Sequence, residues 1–241
     1  MRAFMRKLLA IALLSLMAGS MMWAQSSATQ SAPAKPAGPA KPTAIIETSV
    51  GKMTCTLFPD KAPIGVANFI GLANGTKDWK NPSGVTKHGV PLYDGTIFHR
   101  VIAEFMIQGG DPAGTGSGPD PVPQFKNEVS PDLLFDKPGR LAYANAGPNT
   151  NSSQFFITEI AFTGQQAGIL NGHYTIFGQC DDAAVELVKQ ISHMATDPRN
   201  DKPFRPVKIV HITIIKGAGA HPAGTAAKKP AAAAKPAPSS N

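Results

Sequence analysis

The stretch that most constrains this chain runs from residue 96 to residue 111. Two β-prone runs, Thr96–Ile102 and Phe105–Gln108, are separated only by Ala103-Glu104 and close on Gly109-Gly110. So short an interval predicts a tight antiparallel hairpin. Met106 and Gln108 share one face of its second strand. Arg100, in the first strand, sets a charged donor beside a run of apolar side chains. Taken alone, such an arginine reads as half of a surface ion pair with Glu104 or Asp111.

A second stretch, Leu141–Thr158, reads as a strand, an Asn/Gly/Pro-rich loop and another strand. A third block spans Ile169–Gly178. Around them, strands are expected at Ala44–Ser49, Lys52–Phe58, Gly139–Ala144, Gln154–Thr158, Tyr174–Gln179 and Pro206–Ile215. One helix is expected from Ala62 or Pro63 to about Asn74, with Pro63 suited to its first turn and Gly75 to its stop. Val66, Phe69, Ile70 and Ala73 fall on one stripe of it. Another helix is expected at about Asp181–His193. Residues 75–95 are turn-rich and long for a connection, an insertion whose role the sequence leaves open.

The three blocks closely resemble the cyclophilin family of peptidyl-prolyl cis-trans isomerases, and the resemblance runs from about Ala44 to Lys216. It implies a mainly β fold, a closed eight-stranded antiparallel β-barrel capped by two α-helices, which strand counting alone does not establish. It also implies the chemistry. Rotation about an X-Pro bond faces a barrier of ~18–20 kcal/mol because the nitrogen lone pair is delocalised into the carbonyl. In the twisted state the nitrogen regains its lone pair, so a donor aimed at it binds that state more strongly than the planar one. No nucleophile, metal or cofactor is required.

The resemblance assigns that donor to Arg100, whose guanidinium is a charged planar fork. It places Phe105, Met106, Phe156 and Leu170 around the proline ring. Gln108 and the main chain of Asn145 would hold the substrate backbone. Ala144 and Ala146 would leave room for the residue preceding proline, and Gln154 would border the pocket and support the surroundings of Arg100. Strict alternation would put Phe105 on the face opposite Met106, so Phe105 must belong to the turn. Two positions depart from many eukaryotic members. Ile169 replaces a tryptophan that donates to cyclosporin, so binding of that drug is expected to be weak. Tyr174 replaces a histidine and keeps an aromatic wall.

The ends of the chain differ from this middle. Arg2, Arg6 and Lys7 precede the apolar run Leu8–Met17 and small residues up to Ala24, the pattern of a secretory signal peptide cleaved after Ala24. Residues 25–43 and 217–241 are rich in Ala, Pro, Lys and Gly and are expected to be disordered. Of 23 Lys and Arg, 15 fall in residues 44–216 against all 16 acids. The basic balance therefore belongs to the ends and argues against a nucleic-acid binder. The expected destination is outside the cytoplasm, most simply the periplasm, with no stable membrane insertion once the signal is removed and a monomer as the working state. The partners are proline-containing segments of folding proteins. A proline-segment binding module or chaperone without turnover is the alternative from another class.

Six histidines show no metal-ligand spacing, and Gly114–Gly118 lacks the Lys-Ser/Thr of a phosphate loop. Cys55 and Cys180 lie at predicted strands. Export would permit a disulfide, but buried free cysteine packs as a small apolar residue; two packed thiols are the favoured expectation, with the disulfide left open.

Overall fold

A computed structural model describes residues 41–217; the signal-like start, nearly all of the first linker and the tail lie outside the described residues. Strands β1 (Thr43–Thr48) and β2 (Gly51–Leu57) form the first hairpin. Helix α1 (Pro63–Ala73) follows. Its N-cap position, Ala62, has no side-chain acceptor. Glu128 supplies one from a distant loop, accepting from the Ile64 and Gly65 N–H groups at 2.9 and 2.8 Å, so two orphan donors of the first turn are satisfied by tertiary structure. The helix ends before Gly75 at φ +68°, where a Cβ would lie 2.8 Å from the backbone of Val90 and Pro91. Val66, Phe69, Leu72 and Ala73 are buried, and Ile70 is half-buried.

The insertion contains a small hairpin, β3 (Trp79–Lys80) with β4 (Thr86–Lys87). The chain continues through β5 (Arg100–Ile102), β6 (Met106–Gly109), β7 (Arg140–Tyr143), β8 (Phe155–Thr158), α2 (Gly164–Leu170), β9 (Ile176–Cys180), α3 (Asp182–Ser192), β10 (Thr196–Asp197), β11 (Lys202–Pro203) and β12 (Ile209–Ile215). Asp181 caps α3 by accepting from Ala184 N–H at 2.8 Å. The short α2 carries no amphipathic signal: of its residues only Leu170 is buried.

Eight strands form one antiparallel sheet in the order β12-β1-β2-β9-β7-β8-β6-β5. It is a curled half-barrel, which corrects the expectation of closure. No ladder joins β5 to β12 among the described residues; the seam has one bridge, Ile97 to Lys208, with Phe98 N–H donating to Val207 at 3.0 Å, and Ile209 N–H donating to Thr96 and Gly95 N–H to Ile209, both at 2.8 Å. The reason lies just before β5. Thr96 is held in a turn, its N–H and hydroxyl both donating to the Tyr93 carbonyl, so the edge that meets β12 is a short irregular segment and not a regular strand. Three helices are present among the described residues, rather than the two expected.

The sheet is covered on both faces. Phe69, Tyr93, Phe155 and Phe177 pack in the main core with ring centroids 5.1 to 5.6 Å apart. A second cluster, Met106, Phe135, Ala142, Phe156, Phe162, Leu170 and Ile176, lies on the other face. Strand β8 serves both: Phe155 and Ile157 join the main core and Phe156 the second cluster. All four of its residues are therefore buried.

Cys55 and Cys180 are opposite each other in the β2–β9 register and form a disulfide. This corrects the expectation of two free thiols. Each strand was legible, but the register that sets the two cysteines face to face was not.

Candidate active site

The site is a consequence of strand register. Arg100 is paired with Gln108 across β5–β6, Gln108 with Phe156 across β6–β8, and Phe156 with Ala142 across β8–β7. Directly opposed residues point to the same face, so charged donor, amide and aromatic ring stand in one row on the outside of the sheet. Strands in a sheet lie ~4.8 Å apart, which brings Arg100 within two strand spacings of Phe156. The same face carries the second apolar cluster, and the row ends in it.

Phe105 lies in the turn between β5 and β6, as the clash with strict alternation required. Glu104 precedes it at φ +57°. That strained turn is held by Glu159, a buried carboxylate that accepts from Glu104 N–H at 2.7 Å, Ser192 hydroxyl at 2.6 Å and His193 Nε2 at 2.9 Å. The Glu159 N–H in turn donates to the Phe105 carbonyl at 2.9 Å. Burial alone would raise the Glu159 carboxyl; its hydrogen-bond donors outweigh burial and hold it below the usual range. Phe105 packs edge-on against Phe162 at 5.6 Å, and Phe156 stands edge-on to Tyr174 at 5.5 Å with Phe135 stacked behind it at 5.7 Å. Leu170 closes the cluster from the end of α2, while its neighbour Ile169 is 63% exposed.

Arg100 is paired with neither Glu104 nor Asp111. Its Nε donates to Asp201 at 3.2 Å, and its terminal nitrogens make no hydrogen bond among the described residues. Asp111 instead accepts from the N–H groups of Ala113, Thr115 and Gly116 at 2.8 to 2.9 Å, shaping the Gly-rich loop. Gln154 ties that loop to the row: it donates to the Gly116 carbonyl at 3.3 Å and accepts from Gln108 at 2.9 Å. Beside it a cavity of about 300 Å³ is lined by Gln108, Ala144, Asn145, Ala146 and Gln154. The Asn145 side chain is spent within its loop, donating to the His173 carbonyl at 3.0 Å and accepting from Gly147 N–H at 3.3 Å. Its backbone N–H and carbonyl have no partner among the described residues, which leaves both for a ligand chain.

The expected residues are thus gathered in one region, with Met106, Phe156 and Leu170 themselves buried. Met106, Phe156 and Leu170 belong to the outer cluster, with Phe105, Ala144 and Tyr174 packed against it. Arg100, Gln108 and Gln154 form its polar edge, and Asn145 and Ala146 line the adjoining cavity.

The whole described fold, over residues 43–214, matches the family of cyclophilin type peptidyl-prolyl cis-trans isomerases. The chain belongs to the cyclophilin family. It is similar to peptidyl-prolyl cis-trans isomerase A of Mycobacterium tuberculosis, with 51% identity over 173 residues, 71% of this chain and 91% of that protein. Peptidyl-prolyl cis-trans isomerase B of Streptomyces anulatus is 44% identical over 172 residues, 71% of this chain and 95% of its own length. Among solved structures, a cyclophilin type isomerase of Cryptosporidium parvum, determined in the presence of the dipeptide Ala-Pro, shares 34% identity at a TM-score of 0.58. That likeness covers 72% of this cyclophilin and 98% of the solved chain.

This cyclophilin also uses residues that sequence reasoning passed over. Asp201 and Glu159 sit far along the chain from Arg100 and Phe105, with no local pattern to mark them. Phe135 and Phe162, which pack on Phe156 and Phe105, were not singled out at all. His99, next to Arg100, is 4% exposed with both ring nitrogens unpartnered among the described residues. Burial holds its imidazole below the ordinary histidine range, against the opposing pull of Asp111. The folded chain then binds this proton more weakly than the unfolded chain. The contribution is complete above about pH 6.5 and is lost as the pH falls through the lowered value. Between pH 7.5 and pH 5, the thermal midpoint of the parent is expected to fall further than that of His99→Gln. Equal falls would assign the acid sensitivity to other groups.

Proposed function

We propose that this cyclophilin accelerates cis-trans isomerisation of X-Pro bonds in proteins folding outside the cytoplasm, with Arg100 donating to the prolyl nitrogen in the twisted state. The observation that carries the reading is the row of Arg100, Gln108 and Phe156, with the guanidinium held through Nε alone. A proline ring seated against Phe105, Met106, Phe156 and Leu170 presents its nitrogen at the polar edge of the apolar cluster. Gln108 and the free backbone groups of Asn145 hold the flanking peptide units. The terminal guanidinium nitrogens then meet the nitrogen lone pair as it forms, an interaction absent from the planar ground state. Asp201 fixes the orientation of the fork, so little rearrangement is required at the moment of twisting.

Export is supported by the basic and apolar start of the chain and by the disulfide in the core, which suits an oxidising destination such as the periplasm. The clients on this reading are proline-containing segments of exported chains.

The test is acceleration of X-Pro exchange in a short peptide, followed by NMR, with the chain from residue 25 onward. Binding of the peptide without acceleration would favour the proline-segment binding module. Cyclosporin is expected to bind weakly, with a dissociation constant above micromolar, because Ile169 at the exposed rim offers no N–H. Ile169→Trp should tighten it about tenfold or more by restoring a donor; calorimetric titration of both chains decides the point.

A further inference from the structure

The hairpin inside the 75–95 insertion is moored to the loop that follows the Gly-rich segment, with Lys80 N–H donating to the Pro121 carbonyl at 2.8 Å. Between them lies a cavity of about 430 Å³, walled by Trp79, Pro121 and Val122 and edged by Asp78 and Lys80. It is not isolated. Asp120 and Gln124 line both this cavity and the one beside Ala144–Ala146, so the two adjoin and outline a trough leading away from the proline pocket. At the junction Gln124 donates to the Asp120 carboxylate at 2.6 Å. No cation is paired with Asp120 among the described residues, whereas Asp78 is engaged by His88 at 2.8 Å.

We propose that this trough is a subsite for the polypeptide upstream of the target proline, and that Asp120 selects lysine or arginine at the third or fourth position before it. The proposal rests on the isomerase reading above. If the residue preceding proline passes Ala144 and Asn145, an extended chain advancing ~3.3 Å per residue carries its third and fourth residues about 7–10 Å further, into the junction and the larger cavity. The chemistry there suits a long basic side chain. Its aliphatic stem would lie on Trp79, Pro121 and Val122 while its charged head meets Asp120. The single lysine at the edge, Lys80, is outnumbered by the two carboxylates. An acidic residue at the same place would face unfavourable charge and gain no partner.

The test compares X-Pro peptides carrying Lys, Ala or Glu at the third and fourth positions with a blocked Ala-Pro dipeptide that stops short of the junction. The expected order of kcat/KM is Lys, then Ala, then Glu, with steps of about threefold, the size of a partly exposed charge interaction. The differences should appear in KM and shrink in 0.5 M salt. Asp120→Asn should flatten the series, Asp120→Lys should invert it, and both should treat the dipeptide as the parent does. Equal KM values across the series, with the dipeptide turned over normally, would overturn the subsite. Failure of the folded parent to act on the dipeptide would instead strike the isomerase reading beneath it.

Discussion

Replacing Arg100 with alanine is expected to lower kcat/KM for an X-Pro peptide by about 100- to 1,000-fold, the usual loss when one preorganised transition-state donor is removed. The loss should fall on kcat. The guanidinium contributes to the twisted state and little to the planar one, so peptide affinity should change only slightly. Arg100→Lys keeps a charge but loses the planar fork that Asp201 orients through Nε at 3.2 Å, and should recover only part of the rate. Stability should barely change in either variant. Both partners of the Arg100–Asp201 pair are about 40% exposed, and such pairs contribute little to folding. NMR exchange rates on the folded variants, with peptide binding measured alongside, separate the possibilities. An alanine variant within a few-fold of the parent would move the catalytic donor elsewhere, Gln108 being the other polar group in the row.

The parts of the site that sequence could reach are those governed by short-range pattern. The β5–β6 hairpin follows from two β-prone runs two residues apart, and Phe105 had to leave the strand because alternation forbids it to join Met106. The apolar pocket was reached through the resemblance, since Phe156 and Leu170 alone read as core. What remained hidden depends on contacts across the fold. Asp201 reaches Arg100 from 101 positions away, and Glu159 reaches Glu104 from 55. Neither separation leaves a local trace. The sheet was legible strand by strand, but its seam was not: the β-prone run Thr96–Ile102 yields only three strand residues, and its start, held in a turn by the Thr96 hydroxyl and N–H on Tyr93, meets β12 through one isolated bridge. Helix α2 escaped because glycine and glutamine occupy most of its turns and only Leu170 is buried, with Ala167 packed partly against the cluster. The complete burial of β8 likewise leaves no mark in local pattern. The site itself is the reason, since its apolar cluster covers the face that would otherwise meet water.

The second large effect belongs to the disulfide. The Cys55–Cys180 bond closes a loop with a sequence separation of 125 residues, and a loop of this length implies roughly 4–5 kcal/mol from restriction of the unfolded chain, with measured losses more often about 2–5 kcal/mol. For a domain of this size each 1 kcal/mol corresponds to about 2–4 °C, so the paired substitution Cys55→Ala and Cys180→Ala should lower the thermal midpoint by about 10 °C. Reduction of the parent should approach the same value. Because Cys55 is fully buried and Cys180 is 3% exposed, reductant must wait for opening of β2 from β9, and reduction should be slow in native buffer and fast in denaturant. Activity at low temperature should survive, since both cysteines belong to the main core and the proline pocket to the outer cluster. The decisive observation is thiol titration of the unreduced, unfolded chain. Two reactive thiols would restore the packed-cysteine expectation and remove the stability difference; none, together with a lower midpoint after reduction, would fix the bond as a structural staple between the two halves of the sheet.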